Sequence, residues 1–537
     1  MTRFEWNLPA TFNFGADVVD RFAEDPARVA LLWSNAEGRE ERYTYADMAR
    51  LTNRFANLLA GRGIRKGDRV VVMLPRVAQW QVALVGCLKL GAVPIPCIDM
   101  LTERDVAYRA AHSGARAVVT TAANAGKFAA IGAPLEVRVA VGGAPGWTDY
   151  AAAMEDASDT FEAARMLPDD PAIIYYTSGS TGHPKGVTHA ARGLYAWRVS
   201  AEHWLGLNDG DVMWCTADTG WSKAGTSILF GPWSRGAAVV FHDGPFEPRR
   251  RFEMIERHRV NVFCGAATEF RRLVQEDISA FDLSSLRHAV SAGETVNPAV
   301  VERWQALTGI PLREAYGQTE TLMTILTMAD RPPRPGSMGL PSPGTEMAVL
   351  DEEGRRQPPR TAGQLAMRLP NPQVMLGYWE DRERTAQARI RGDEGEWFLT
   401  GDMALVDEDG YFHFLGRNDD VINSAGYRIG PLEVENALIE HAAVQECAVV
   451  PSPDEERGEV VKAYVVLRPG ARGTPELVKE LQDFVKGITA PYKYPRRIEF
   501  VEELPKTVSG KIRRRDLKER EFAGHGPNLG ANLGKEA

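Results

Sequence analysis

Residues 177–186 read Thr177-Ser178-Gly179-Ser180-Thr181-Gly182-His183-Pro184-Lys185-Gly186, directly after an apolar run at 172–176. Glycines let a backbone come close to a ligand, and hydroxyls and N–H groups can surround phosphate oxygens. Lys185 adds a cation to that cradle. The loop is not of the Walker A kind, in which a glycine directly precedes the lysine, because Pro184 stands there. A Ser/Gly-rich stretch is equally the composition of a plain surface connection, so on this segment alone both readings stand. His183 and His189 flank the loop, but no second ligand cluster accompanies them, and they read as structural rather than as metal ligands.

Four further segments carry residues of chemical interest. Tyr316-Gly317-Gln318-Thr319-Glu320 offers a hydroxyl and a carboxylate, though a strand end followed by a capped helix would look the same. In Thr400-Gly401-Asp402 a carboxylate could accept from both hydroxyls of a ribose, while Gly-Asp is also ordinary turn chemistry. Next comes Gly416-Arg417-Asn418-Asp419-Asp420, followed by Ser424-Ala425-Gly426-Tyr427-Arg428-Ile429-Gly430. The last is Pro505-Lys506-Thr507-Val508-Ser509-Gly510-Lys511. Each is weakly informative alone; in this order they form a specific pattern.

The elements that must position these segments are readable from periodicity. Residues 44–62 place Met48, Leu51, Phe55, Leu58 and Leu59 at helical spacing behind Thr44 as N-cap. A β-branched run at 69–74, stopped by Pro75, predicts a buried strand; 77–90 reads as helix and 92–95 as extended. Strand, helix, strand in that order predicts a parallel sheet. Another buried strand is expected at 172–176, with a helix over 187–204. From about residue 335 short extended runs (363–369, 397–400) alternate with Gly and Pro turns, predicting a small antiparallel unit with a hairpin over 398–415. After Arg417 a compact tail follows: a helix at 431–440, strands near 445–450 and 459–467, a helix capped by Thr474 with Pro475 at its first position, and a strand near 497–501. That tail reads as a separate α+β domain.

At about 150 residues per domain, 537 residues allow three or four domains. With 44% hydrophobic and 25% charged residues the balance is that of a globular protein, which excludes a disordered tail, a fibre or a disulfide-stapled module. A net charge of −9 gives no global basic field for nucleic acid. The five cysteines are scattered and nowhere spaced as CxxC, which fits a reducing compartment and argues against structural zinc. No run of 18 apolar residues could span a membrane. The opening residues read neither as a secretory signal nor as a transit peptide, so the cytoplasm is the expected location. The sequence carries no signature of a particular oligomeric state.

Taken together, the motifs resemble those of the adenylate-forming superfamily of acyl-CoA synthetases, luciferases and peptide-synthetase adenylation domains. The resemblance runs from about Tyr43 to Glu519, and the C-terminal third (DDVINSAGYRIGPLEVENALIEH, GEVVKAYVVL, APYKYPRRIEF, ELPKTVSGKIRR) is most similar to medium-chain acyl-CoA synthetases. The implied fold is mixed α/β and α+β. A large lobe over 1–417 would hold two α/β sheets with helices plus a small β-barrel-like unit. A hinge would lie at 418–420, and a small mobile α+β domain over 421–537.

The implied reaction has two halves. A small carboxylic acid attacks the α-phosphate of ATP to give acyl-AMP and pyrophosphate; the thiol of coenzyme A then displaces AMP. By the family pattern Thr177, Ser178, Gly179, Ser180, Thr181, Gly182 and Lys185 hold the β- and γ-phosphates, Thr319 contacts the α-phosphate and Glu320 partners Mg2+. Gly293, Glu294 and Thr295 line the adenine pocket beside Tyr316, Asp402 and Arg417 hold the ribose, and Lys511 reaches the carboxylate and α-phosphate. Rotation about Asp419 would replace Lys511 by the segment from Ser424 to Arg428, with Gly426 and Tyr427 along the pantetheine channel. Arg513 to Arg515 read as a solvated helix face rather than a CoA clamp. In acetyl-specific relatives a tryptophan precedes the QTE; here Gly317 stands there, and the expectation is a void that longer chains fill. Trp221 and Gly265 are expected in the pocket walls. Since each buried methylene contributes about 0.8 kcal/mol, an open pocket favours medium-chain, branched or aryl acids over acetate. The alternatives are loading of a carrier-protein thiol, oxidation of the adenylate with light emission, a short-chain (acetate or propionate) CoA ligase, or a binding protein that keeps the fold.

Overall fold

A computed structural model describes residues 4–129, 131, 135–177, 184–294, 296–420, 422–424, 427–454, 457–489, 491–506 and 512–523. The first long helix, Tyr45–Gly61, begins where Thr44 predicts it. The Thr44 hydroxyl accepts from the Asp47 N–H and the Asp47 carboxylate accepts from the Thr44 N–H, a reciprocal capping box. Its apolar stripe, Met48, Phe55, Leu58 and Leu59, is fully or almost fully buried.

The strand Arg69–Met73 and the helix Ala78–Leu90 lead into Val93–Pro96, which pairs parallel with the first strand as expected. Val70 and Val72 face one apolar cluster while Val71 and Met73 face another, so this five-stranded parallel sheet is covered on both sides. A second sheet of nine strands has a parallel centre, ordered Leu312–Gln318, His288–Ala292, Val262–Gly265, Val212–Cys215, Ala238–Asp243, Val29–Asn35, with antiparallel strands at both edges. It too is doubly covered, since Met213 and Cys215 face one cluster and Trp214 the other.

The helix expected over 187–204 is corrected. Residues Lys185–Ala190 form a strand paired antiparallel with Pro171–Thr177, and the helix begins only at Ala191. The apolar residues fit both periods there; pairing with the preceding strand decides it, because it satisfies the backbone of a fully buried segment.

By packing, the chain divides into two compact units, one of Met1–Met347 with Arg368–Arg389 and one of Ala348–Met367 with Ile390–Ala537. The second contains two sheets. In one, Gly395–Val406 and Phe412–Arg417 form the expected hairpin beside Gly363–Arg368, Met347–Leu350 and Arg389–Gly392; no pairing among the described residues closes these strands into a barrel. In the other, Val444–Asp454 and Gly458–Leu467 pair antiparallel, flanked by helices Pro431–Ile439 and Pro475–Ile488, the latter capped by Thr474. All five cysteines are buried and unbridged, and no described helix is long and apolar enough to cross a membrane.

Replacing Thr44 by Ala removes one half of the capping box, which costs about 1 kcal/mol. Amide hydrogen exchange within 45–61 should accelerate roughly fivefold, with the helices of the second unit unchanged.

Candidate active site

The register of the nine-stranded sheet brings several motifs to one edge. Cys215 pairs with Cys264, Gly265 with Ser291, and Ala292 with Ala315, so the parallel ladder ends together at 215, 265, 292 and 315, with the strand Leu312–Gln318 running on past it. In open α/β sheets ligands bind at this carboxyl edge. An ammonium ties two of those ends: Lys223 Nζ donates to the Ala292 carbonyl at 3.0 Å and to the Gly265 carbonyl at 3.4 Å.

After Gln318 the chain does not enter a helix; it turns and returns as the antiparallel strand Leu322–Leu326. Thr319 and Glu320 sit on that turn. The imidazole of His189, fully buried, lies 2.5 Å through Nε2 from the Thr319 carbonyl, which can only accept, so Nε2 carries the proton. Burial pushes this imidazole down to about 4 against the pull of the Thr319 carbonyl and Glu320, leaving it neutral at pH 7. The Thr319 hydroxyl lies 3.0 Å from Ser222 Oγ. Thr319 is thus gripped at both its carbonyl and its hydroxyl.

Glu320 is buried, and its Oε1 accepts from Lys185 Nζ at 2.7 Å and from the Tyr378 hydroxyl at 3.0 Å. Burial pulls this carboxyl upward, but the Lys185 charge and the bonds from Lys185, its own N–H and Tyr378 outweigh that, holding it below the usual carboxylate range. At the start of the phosphate-loop motif the Thr177 hydroxyl is buried with no hydrogen-bond partner among the described residues, an orphan that an incoming oxygen would satisfy. Among the described residues no group of three His, Cys, Asp or Glu could hold a metal. One carboxylate bonded to the Lys185 ammonium fits Mg2+, which commonly takes one or two carboxylates and completes its shell with phosphates and water.

The void expected beside Gly317 is not there. A Cβ on Gly317 would stand 2.0 Å from the Leu322 carbonyl oxygen and 2.8 Å from Met323 Cα. Leu322 holds a left-handed backbone, φ 59°, which drives its carbonyl onto the glycine. Main chain, not empty space, fills the position. Gly265 is also closely packed, with rings of Phe263 and Phe270 at 3.2 Å from an added Cβ. Trp221 is 41% exposed, at the entry to the short helix Ser222–Ala224 that carries Lys223. Gly293 takes φ 96° just past the strand end, and Glu294 follows it. Two residues before Tyr316, partly buried Glu314 accepts the Val296 N–H at 2.7 Å, fixing the segment after 293–294. Burial pushes the Glu314 carboxyl up to about 7, partly offset by that N–H.

In the second unit Asp402 and Arg417 are cross-strand partners, with Arg417 Nε 3.7 Å from Asp402 Oδ1. Asp402 is buried and Arg417 exposed. Asp419 lies in the single turn Asn418–Asp420, and Tyr427 and Arg428 lie on the strand Tyr427–Ile429. Ser178, Gly179, Ser180, Thr181, Gly182, Thr295, Gly426 and Lys511 lie outside the described residues. The described neighbours of three of these gaps pair across them: Thr177 with Lys185, Ser424 with Tyr427, and Lys506 with Ile512.

Two family profiles match the chain: AMP-binding enzyme over residues 18–379 and AMP-binding enzyme C-terminal domain over 433–511. The chain belongs to the AMP-binding enzymes. Among its relatives, the mitochondrial acyl-coenzyme A synthetase ACSM3 of Mus musculus is 41% identical over 97% of this chain and 92% of that protein. The uncharacterized acyl-CoA ligase YtcI of Bacillus subtilis is 42% identical over 96% of this chain and 97% of its own. The crystal structure of the anthranilate CoA ligase AuaEII in complex with anthranoyl-AMP superposes with a TM-score of 0.85 at 31% identity, covering 96% of this chain and 99% of that one. Within the AMP-binding enzymes the chain therefore falls among the acyl-CoA synthetases, AMP-forming acid–thiol ligases that use ATP and CoA.

The motifs did not flag Tyr378, Lys223 or Glu314, and they read His189 as structural. Lys223 follows the already noted Trp221 by two residues, and Glu314 stands two residues before Tyr316; both are near neighbours of flagged positions. Nothing local marks Tyr378.

Replacing Gly317 by Ala should lower the melting temperature and abolish acid-dependent pyrophosphate release together, because the Cβ collides with main chain; a variant of unchanged stability would contradict the packing. Glu314 gives a pH signature. Its folded pKa, about 7, exceeds the ordinary 4.5, so its contribution to stability is full below about 4.5 and is lost as pH rises through about 7. Glu314→Gln should remove that part of the decline, which melting temperatures from pH 5 to 8 would read.

Proposed function

We propose that this acyl-CoA synthetase activates a medium-chain, branched or aryl carboxylic acid rather than acetate. The reaction of its class brings a carboxylate onto a polyphosphate, so catalysis needs positive charge where negative charge accumulates. One observation carries the assignment of roles: the Lys185 ammonium and the Glu320 carboxylate meet 2.7 Å apart beside the carboxyl edge of the parallel strands, with Thr319 fixed next to them. Lys185 and the loop before it receive the β- and γ-phosphates. Thr319 offers its hydroxyl to the α-phosphate. Glu320 holds Mg2+, which when bound supplies further neutralisation of phosphate charge. Tyr316 and the 293–295 segment take the adenine, and Asp402 with Arg417 takes the ribose.

The second half-reaction exchanges the covering groups. Lys511 serves adenylation; after a turn about Asp419 the Ser424 to Arg428 segment takes its place and admits the pantetheine arm past Gly426 and Tyr427. The pairings Lys506–Ile512 and Ser424–Tyr427 support this by closing the base of each segment. The preference for larger acids is supported by the similarity to the acyl-coenzyme A synthetase ACSM3 and to the anthranilate CoA ligase AuaEII rather than by space at Gly317, with Trp221 and Gly265 as candidate walls. The buried, unbridged cysteines support the cytoplasm as the location.

Pyrophosphate release measured over C2 to C10 and aryl acids, with and without CoA, tests the reading. The expected outcome is a kcat/KM for a medium-chain or aryl acid at least about tenfold above acetate, the worth of roughly two buried methylenes, with acyl-CoA formed only when CoA is present. Preference for acetate, or transfer to a carrier protein in place of CoA, would overturn it. Lys511→Ala should lose adenylation by at least about 100-fold while forming thioester from supplied acyl-AMP at near the parent rate; equal loss of both halves would contradict the exchange of covers.

A further inference from the structure

Lys185, Glu320 and Tyr378 form a closed triangle. Lys185 Nζ donates to Glu320 Oε1 at 2.7 Å and to the Tyr378 hydroxyl oxygen at 2.9 Å, and the Tyr378 hydroxyl donates to the same Oε1 at 3.0 Å. The ammonium also lies 4.5 Å from the centre of the Tyr378 ring. Each corner is held by main chain. Tyr378 pairs with Val187, on the strand that begins at Lys185; its N–H donates to Thr385 Oγ1 at 2.9 Å; and the Glu320 carbonyl accepts from the Met375 N–H at 2.8 Å. A cavity of about 170 Å3 opens beside Lys185 and Tyr378, bounded also by Tyr108, His112 and Arg384.

In this arrangement the ammonium that should meet phosphate is engaged by the carboxylate that should meet the metal. Both roles cannot be filled at once by the contacts seen here. When phosphates draw the ammonium into their own field, Glu320 Oε1 loses that donor before a metal engages the carboxylate, and a buried anion that loses a partner is costly. The side-chain donor then remaining on Oε1, among the described residues, is the Tyr378 hydroxyl. We propose that Tyr378 is a positioning residue for nucleotide loading: its hydroxyl keeps the Glu320 carboxylate aimed and solvated while Lys185 transfers to the β- and γ-phosphates. This rests on the reading of Lys185 and Glu320 given above.

The bond matters more with nucleotide bound than without it, because in the free enzyme Lys185 already serves the same oxygen. Tyr378→Phe retains the ring, its contact with the ammonium and the strand pairing, and removes only the hydroxyl. Calorimetric titration of the intact enzyme with MgATP and, separately, with AMP gives the test. Tyr378→Phe should raise the Kd for MgATP about tenfold, the scale of one hydrogen bond to a charged group, and leave the Kd for AMP within about twofold, since AMP has no β- or γ-phosphate to call on Lys185. In steady state the loss should fall on the KM for ATP more than on kcat. An unchanged Kd for MgATP, or equal weakening of MgATP and AMP, would overturn the proposal. A parent enzyme that binds neither nucleotide would instead overturn the functional reading on which it rests, so the two failures are distinguishable.

Discussion

A lysine and a glutamate 135 positions apart in sequence share one oxygen at 2.7 Å, and the arrangement of the large unit follows from keeping them there. Lys185 opens a strand of the small antiparallel sheet; Glu320 sits on a turn at the edge of the nine-stranded one. The buried Glu320 carboxylate would not be stable alone, since an unpaired buried charge costs several kcal/mol. The pair therefore couples two sheets that share no strand ladder among the described residues. His189, on the same strand as Lys185, repeats the link by donating to the Thr319 carbonyl, and Met375 adds a third tie to Glu320. These contacts leave the two charges little freedom to separate except toward a competing charge.

The edge at which this happens is set by strand register. The pairings of Gly265 with Ser291 and of Ala292 with Ala315 bring Gly265, Ala292 and Ala315 to one edge although tens of residues separate them in sequence. Segments that leave such an edge can converge on one ligand, and here they carry a half-buried ammonium at Lys223, glycines at 265 and 293, and the turn with Thr319 and Glu320.

What was legible in the sequence was local. Thr44 and Asp47 announce their helix because the capping chemistry lies within four residues, and the 398–415 hairpin announces itself by a turn between alternating runs. The segment 187–190 was misread because its residues suit either period and the deciding partner, 171–177, acts through pairing rather than through composition. The same limit explains the turn after Gln318, where a returning strand replaces the capped helix that the motif also allowed, and the misjudged space at Gly317, which only that returning strand occupies. Tyr378 stayed invisible for the related reason that its hydroxyl meets two side chains from remote parts of the chain. The order of the motifs identified the chemistry; the partners of each motif needed coordinates.

The left-handed Leu322 and the collision it would cause at Gly317 bear on how such an enzyme could change its diet. A bulky ring cannot simply be grafted at position 317, for the peptide opposite has no room to retreat without rebuilding the bend that also presents Thr319 and Glu320. Packing at position 317 and the placement of Thr319 and Glu320 are thereby linked through a single stretch of backbone. Any path that places a side chain at position 317 would have to alter that bend as a block.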